Sequence, residues 1–388
     1  MESQESYKAR MLPRLRRAVL KVGSSVLAGA DGVNTRRIAS LAREICALRN
    51  NGLQVMVVSS GAVAAGIARL PTSGKPTTVP QRQAAAAIGQ IDLMAFYEKS
   101  FARYGTHVAQ ILLTHDDLAN RKRYLNARHT IETLLSAGVV PVANENDTVA
   151  TDELNFGDND NLSALIAGLI EADVLVLLSD VPGLYTRDPR FHSDAELLHV
   201  IDSDGQGDQA FVTEGKGALG KGGMASKIAA AMKASAAGIP TIIAEGLRGG
   251  VLRQVFDATK TVGTLILPKG DRLARRKHWI AYTLKPSGTL VLDAGAREAV
   301  AEKKRSLLPS GLREAQGKFE AGACVRCVDT DGREFARGLV NFSSAELEKI
   351  KGLHSSKIEA ALGYKPADVV IHRNDLVLTG GFARGLAR

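Results

Sequence analysis

The sequence predicts an α/β protein, a three-layer αβα sandwich around a mostly parallel sheet, followed by a smaller β-rich module. Three observations lead there. Strand-like and helix-like segments alternate from Arg17 to Ala244, the pattern of a parallel sheet covered on both faces. The composition, 45% hydrophobic but only 5% aromatic with 38 Gly, supplies the small residues that let helices pack closely on such a sheet. The length, 388 residues, suits two domains.

The first strand is the apolar run Arg17–Val22, broken by the small residues Gly23-Ser24-Ser25. A helix follows over 34–49, because Ile38, Leu41, Ile45 and Leu48 recur at steps of three and four, and Asn51-Gly52 ends it. Strand 54–58 then closes a β-α-β unit and leads into an Ala/Gly-rich helix. The same reasoning gives helix 91–104, strand 108–113, helix 126–136, strand 139–142, a polar loop 144–160, helix 162–170, strand 173–178, helix 227–237 and strand 241–244. Residues 1–16 are read as a tail, 17–268 as the larger domain, and the basic stretch 269–283 as a linker. Residues 284–379 form the second domain, with strands at 289–292, 324–328, 334–340 and 369–371 and a helix at 344–350, and 380–388 are a second tail.

The formal charge of +9 is spread evenly, with +5 before Leu284 and +4 from Leu284 onward (17 basic against 13 acidic residues). Such a balance suits anionic ligands and permits weak nucleic-acid contact. No apolar run reaches the roughly 18 residues that span a bilayer. Residues 1–17 lack the pattern of a signal peptide, so no membrane association and a cytoplasmic location are expected. Of the three cysteines, Cys324 and Cys327 form a lone CxxC on a strand. Their spacing sends the thiols to opposite faces, which favours packing over metal or redox chemistry.

Polar residues gather after the strands, where open parallel sheets bind ligands. Lys21 ends the first strand beside a small-residue turn, and an ammonium there needs a carboxylate or phosphate partner. Ser59-Ser60-Gly61 opens a helix and offers hydroxyls and N–H groups to an anion, although a simple N-cap has the same form. Asn144, Asn146, Asp147, Asn159 and Asp160 bring amides and carboxylates at the density an amino-acid substrate requires. A surface loop of Asx turns is the plainer alternative. The stretch 215–227 matches both GxGxxG and the start of a Walker A loop, but Gly222 follows Lys221 where a Mg²⁺-binding hydroxyl belongs, and no good strand precedes it. What survives is a glycine loop, able to close over phosphates, that feeds a helix carrying Lys227.

Taken together, Lys21–Ser25, Ser59–Ala62, Asn144–Asp147, Gly157–Leu165, Asp180–Pro189 and Gly220–Lys227 resemble the glutamate 5-kinases of the amino acid kinase superfamily. The likeness runs from about Arg17 to about Thr379, and the C-terminal region is similar to a PUA domain, a module frequent in RNA-modifying enzymes. The resemblance implies the amino acid kinase fold and ATP-dependent phosphorylation of the γ-carboxylate of L-glutamate, with Mg²⁺, as the first step of proline synthesis. It implies Lys21 and Lys227 on the transferred phosphoryl group, with Asp160 orienting both. Ser60, Gly61, Asp147 and Asn159 would hold glutamate, near Asn144 and Asn146. Ser179, Asp180, Gly183 and Tyr185 would flank the nucleotide together with Lys221, Gly222, Gly223, Met224, Ala225 and Ser226. Two positions depart from the pattern: Lys221, and Ser179 where the family has Thr. No protein ligand of the metal is assigned.

The implied reaction needs no general base, because a carboxylate is already a nucleophile. The same resemblance implies feedback inhibition by proline, transfer of the labile product to a glutamyl phosphate reductase, and a homo-oligomer. The alternatives are a superfamily member acting on aspartate, N-acetylglutamate, carbamate or a nucleoside monophosphate, and an RNA-binding protein defined by its C-terminal domain. Against the latter, that region lacks interleaved basic and aromatic residues.

Overall fold

The computed structural model describes residues 3–29, 32–67, 69–70, 76–150, 159–202, 223–268 and 286–379. They fall into two units, 1–269 and 270–388. In the first, the strands are β1 (Arg17–Val22), β2 (Ala28–Gly29), β3 (Gly32–Val33), β4 (Gln54–Val58), β5 (Val108–Leu113), β6 (Val140–Glu145), β7 (Val174–Ser179), β8 (Val200–Ile201), β9 (Thr241–Glu245) and β10 (Thr264–Ile266). All but β2 and β3 join one eight-stranded sheet in the order β5-β6-β4-β1-β7-β9-β10-β8. Every pairing in it is parallel except β9 with β10. From β1 the chain builds outward through β4 on one side and later through β7 on the other, so a topological switch point lies beside β1.

Strand periodicity divides the side chains between two cores. Ala18, Leu20, Val22, Val55, Val57, Val174 and Val176 face one core, closed by helices Thr35–Asn50 and Val79–Ala102. Val19, Met56, Val58, Leu175 and Leu177 face the other, with Ile166 of helix Asn159–Leu169 and Ala230 and Ala234 of helix Gly223–Ala236. Each fully buried Leu or Ile contributes about 1.5–3 kcal/mol relative to exposure. Parity therefore sends Lys21 toward the same layer as the helices that carry Asp160 and Lys227.

Helix Ala62–Ile67 crosses Val79–Ala102 with almost no space between backbones. A Cβ on Gly66 would lie 1.8 Å from the Ala85 carbonyl oxygen, and one on Gly89 would lie 1.9 Å from that of Ala62. Only hydrogen side chains permit this approach. A capping box of Thr78 and Gln81 starts the longer helix.

Some expectations need correction. Helix Val79–Ala102 starts well before 91, and helix Arg121–Ser136 before 126. Strand β6 continues through Asn144 to Glu145, because those polar residues still find ladder partners on β5. Asn159 and Asp160 are not loop residues but the first turn of a helix, where an acidic side chain meets the positive end of the dipole. Gly223 to Ser226 likewise begin a helix. The segment expected as an N-terminal tail contains a docked helix, Gln4–Met11. Gln4 Nε2 donates to the His199 and Val262 carbonyls (3.1 Å each) and Gln4 Oε1 accepts from Val262 N (2.6 Å). Lys8 Nζ donates to the Gln254 and Lys260 carbonyls. The stretch 269–283 and the tail 380–388 lie outside the described residues. No helix among the described residues is long and apolar enough to cross a membrane.

The second unit holds a five-stranded sheet in the order β12-β11-β13-β14-β15, formed by β11 (Gly288–Leu292), β12 (Leu312–Gln316), β13 (Cys324–Val328), β14 (Glu334–Leu339) and β15 (Leu376–Leu378). The expected strand 369–371 makes only an isolated bridge, Ile371 to Leu307. Cys324 and Cys327 form no disulfide and are buried in separate clusters, as their opposite faces require.

Candidate active site

Three segments far apart in sequence meet above the carboxyl end of β1. Lys21 Nζ lies 2.5 Å from Asp160 Oδ1, and Lys227 Nζ lies 3.3 Å from Asp160 Oδ2. Ser226 Oγ donates to the same Oδ2 at 2.7 Å. The side chains of Lys21, Asp160 and Lys227 are at most 9% exposed. Burial by itself would raise the Asp160 carboxyl, but Lys21, then Lys227, and hydrogen bonds from Lys21 and Ser226 outweigh it and hold the group below its ordinary range. Two ammonium groups thus converge on one carboxylate. Such a pair of ammonium groups, held by one carboxylate, has the chemistry to meet the oxygens of an anion.

Beside it runs a chain of amides. Asn159 Nδ2 donates to Ser60 Oγ (3.2 Å) and Asn144 Oδ1 (3.1 Å), and Asn144 Nδ2 donates to Gln90 Oε1 (2.8 Å). Asn159 is 5% exposed, and its Oδ1 has no hydrogen-bond partner among the described residues. It remains available as an acceptor. Gly61, next to Ser60, takes a φ of +99°, which side chains rarely adopt. Ser59 Oγ pairs with the buried Tyr97 hydroxyl at 2.9 Å, which fixes the end of β4.

Asn146 and Asp147 stand apart. Asn146 Oδ1 accepts from Thr148 Oγ1 at 2.6 Å inside its own turn. Among the described residues no hydrogen bond joins either side chain to the amide chain. Burial, and next the charge of Glu145, push the Asp147 carboxyl up to about 6. At the end of β7, Ser179 is buried and Asp180 exposed, and Ser179 Oγ donates to Asp180 Oδ1 at 3.1 Å. Gly183 is buried in the following turn and Tyr185 half-buried. Met224 and Ser226 are half-buried and Gly223 and Ala225 exposed in the first turns of their helix. Gly157, Asp158 and the stretch 215–222, with Lys221 and Gly222, lie outside the described residues.

Sequence reasoning missed Gln90 and Tyr97. Both sit on the buried stripe of helix Val79–Ala102, with Ala86 and Leu93. A glutamine recurring at core spacing was the available signal, since a buried amide must find partners.

The model of the amino acid kinase family matches residues 16–245, and that of the PUA domain matches 288–362. A glutamate 5-kinase of Citrifermentans bemidjiense is 50% identical over 369 residues, 95% of this chain and 99% of its own. One of Geobacter metallireducens is 52% identical over the same share. Among solved structures, the carbamate kinase from Giardia lamblia bound to AMP-PNP is 16% identical, covering 66% of this chain and 99% of its own, with a TM-score of 0.49. That distance bears on neither substrate nor mechanism. A family match over more than half of the chain, with relatives half-identical along nearly all of it, means that the chain belongs to the amino acid kinase family and groups with the glutamate 5-kinases within it.

Proposed function

We propose that this protein transfers the γ-phosphoryl group of ATP to the γ-carboxylate of L-glutamate, giving L-glutamyl 5-phosphate and ADP. The observation that carries the reading is the buried Lys21–Asp160–Lys227 cluster, in which two ammonium groups converge on one carboxylate. A carboxylate oxygen of glutamate attacks the γ-phosphorus, the bond to the β,γ-bridging oxygen breaks, and ADP leaves. Because the nucleophile is already ionised, catalysis consists of positioning and charge neutralisation. Lys21 and Lys227 offset charge on the phosphoryl oxygens, and Asp160 holds both ammonium groups in place. Ser60 and Asn159 hold the amino acid, with the free Asn159 Oδ1 accepting from its ammonium. Asp147 supplies the opposing charge, and Gly61, Asn144 and Asn146 shape the same region. Ser179, Asp180, Gly183 and Tyr185 flank the nucleotide, along with Gly223, Met224, Ala225 and Ser226 and, by resemblance, Lys221 and Gly222. Mg²⁺ would bring further positive charge to the β and γ phosphates. No group of three or more His, Cys, Asp or Glu among the described residues could hold a metal ion. A Mg²⁺ that arrives on the nucleotide fits that donor set, since it keeps several waters and needs few protein ligands.

With this reading go the first step of proline synthesis, feedback inhibition by proline, a reductase consuming the acyl phosphate, a homo-oligomer and a cytoplasmic site of action. The last fits three cysteines that form no disulfide. We assign catalysis to residues 17–268 and an accessory role to 284–379. In the second unit Lys304, Arg305 and Arg373 surround a cavity with Val300, Leu376 and Leu378, and RNA is its proposed occupant, testable by a salt-dependent gel shift. The decisive experiment is ADP release with L-glutamate, L-aspartate, N-acetyl-L-glutamate and carbamate in parallel, with hydroxylamine trapping the acyl phosphate. Turnover with another acid but not with glutamate would refute the assignment.

A further inference from the structure

Thr264 is fully buried at the start of β10, where valine would suit both strand and core as well. Its hydroxyl therefore needs a purpose. Thr264 Oγ1 accepts from Leu184 N at 2.8 Å, so it satisfies a buried amide in the turn that follows Ser179 and Asp180. The preceding residue is shaped to that oxygen: a Cβ on Gly183 would lie 2.5 Å from Thr264 Oγ1 and 3.0 Å from Thr264 N. Behind Thr264, Gly263 has a φ of +64° and its Cβ position lies 2.0 Å from the Ile243 carbonyl oxygen, so the β10 entry sits hard against β9. Val262, one step earlier, is held at both N and O by the Gln4 side chain. The hydroxyl thus rises from a segment held against β9 and by the Gln4 side chain, and it accepts a hydrogen bond from the turn at Leu184 N.

We infer that Thr264 is a positioning residue for the nucleotide, which sets the Gly183–Tyr185 turn through its single hydrogen bond to Leu184. The inference rests on the reading that 179–185 flank ATP. A hydroxyl that merely filled the core would serve glutamate and ATP alike. One that sets the turn affects the nucleotide alone, because the glutamate-side groups Ser60, Asn144 and Asn159 are tied to one another and not to β10.

The test is steady-state kinetics on the full-length chain with Thr264→Val, which keeps the shape and removes the acceptor, and Thr264→Ser, which keeps the oxygen. Thr264→Val should raise KM for ATP about tenfold, or ~1.4 kcal/mol, while leaving KM for glutamate unchanged. Thr264→Ser should restore the wild-type value. Gly183→Ala, whose new methyl presses on the same oxygen, should give the same split and serves if the valine variant folds poorly. Alongside, hydrogen exchange of peptide 179–185 in the wild type is followed with and without ADP. Protection by ADP with an unchanged KM for ATP in Thr264→Val overturns the proposal and leaves the nucleotide reading intact. Absence of protection overturns both. A parallel rise of both KM values, shared by the serine variant, reduces Thr264 to packing and also overturns it.

Discussion

Asp160→Asn keeps the shape of the side chain and removes the charge that Lys21 at 2.5 Å and Lys227 at 3.3 Å share. Both lysines then remain buried and lose the carboxylate charge that they share. Breaking a buried ion pair by removing one partner costs about 3–5 kcal/mol. In a unit of this size each kcal/mol moves the midpoint by about 2–4 °C, so Tm should fall by about 6–20 °C. Catalysis should suffer more, because the repelling ammonium groups no longer converge on the phosphoryl oxygens. A displacement of about 1 Å costs on the order of a hundredfold, and loss of one preorganised contact a hundredfold to a thousandfold, so kcat should drop by about 10²–10³. The assay is coupled ADP release at saturating glutamate and ATP, with calorimetry on the same samples. Adding Lys21→Met to Asp160→Asn should recover some of the lost Tm and none of the activity. The pH dependence has a definite sign. Because the folded Asp160 carboxyl lies below its ordinary value, its contribution is complete above the unfolded value of about 4 and fades as pH falls through the folded one. The Tm gap between wild type and variant should therefore close only below about pH 4. Wild-type kcat with an unchanged Tm at pH 7 would refute the role given to Asp160.

Lys21→Ala and Lys227→Ala should each reduce kcat by about a hundredfold or more with native circular dichroism, and near-normal turnover in either would remove that lysine from the phosphoryl site. Since Asp147 titrates near 6, KM for glutamate should climb as pH falls through that value, and Asp147→Asn should raise KM at pH 7.5 and flatten the profile. The stability sign is opposite to that of Asp160: a raised carboxyl stabilises the fold at low pH and loses that contribution as pH rises through about 6, so Asp147→Asn should melt above the wild type at pH 7. Gly66→Ala and Gly89→Ala each force apart a pair of backbones in contact. Each should cost about 1–3 kcal/mol or more, read as Tm, and a neutral result would mean that the helix crossing adapts freely.

Three strands of dense apolar content were legible to the residue: β1, β4 and β5 have the bounds that their Val/Leu/Ile runs imply, whereas β7, expected over 173–178, runs one residue later. Legibility failed where polar residues carry the structure. Helix Gln4–Met11 brings only Tyr7 and Met11 to the core, too few for an apolar stripe to be read, and its buried residues Gln4 and Lys8 dock onto main-chain carbonyls, a partnership that no periodicity records. Strand β12, Leu-Arg-Glu-Ala-Gln, has one buried residue, too few to give a strand signal. At the site, Lys21 was readable because a charge inside an apolar strand must be paired, and Asp160 came with the motif that contains it. That Asp160 would face both lysines depended on which sheet face each element covers. Gln90 escaped because its partner Asn144 is 54 residues away.

The central position of β1 also governs how the molecule comes into being. Its first neighbour, β4, is made soon after it, but its second, β7, begins only at Val174. At roughly 5–20 residues per second, a nascent chain carries β1 for many seconds with one ladder edge open. An open edge invites pairing with other chains, and a lysine in such a strand discourages it. Before helix Asn159–Leu169 docks, Lys21 has no Asp160 to neutralise it and stands as a bare charge in that edge. On the assignment proposed above, the side chain that meets phosphate in the folded protein is also one that disfavours edge pairing during synthesis, so an apolar replacement should lower both turnover and the yield of soluble protein.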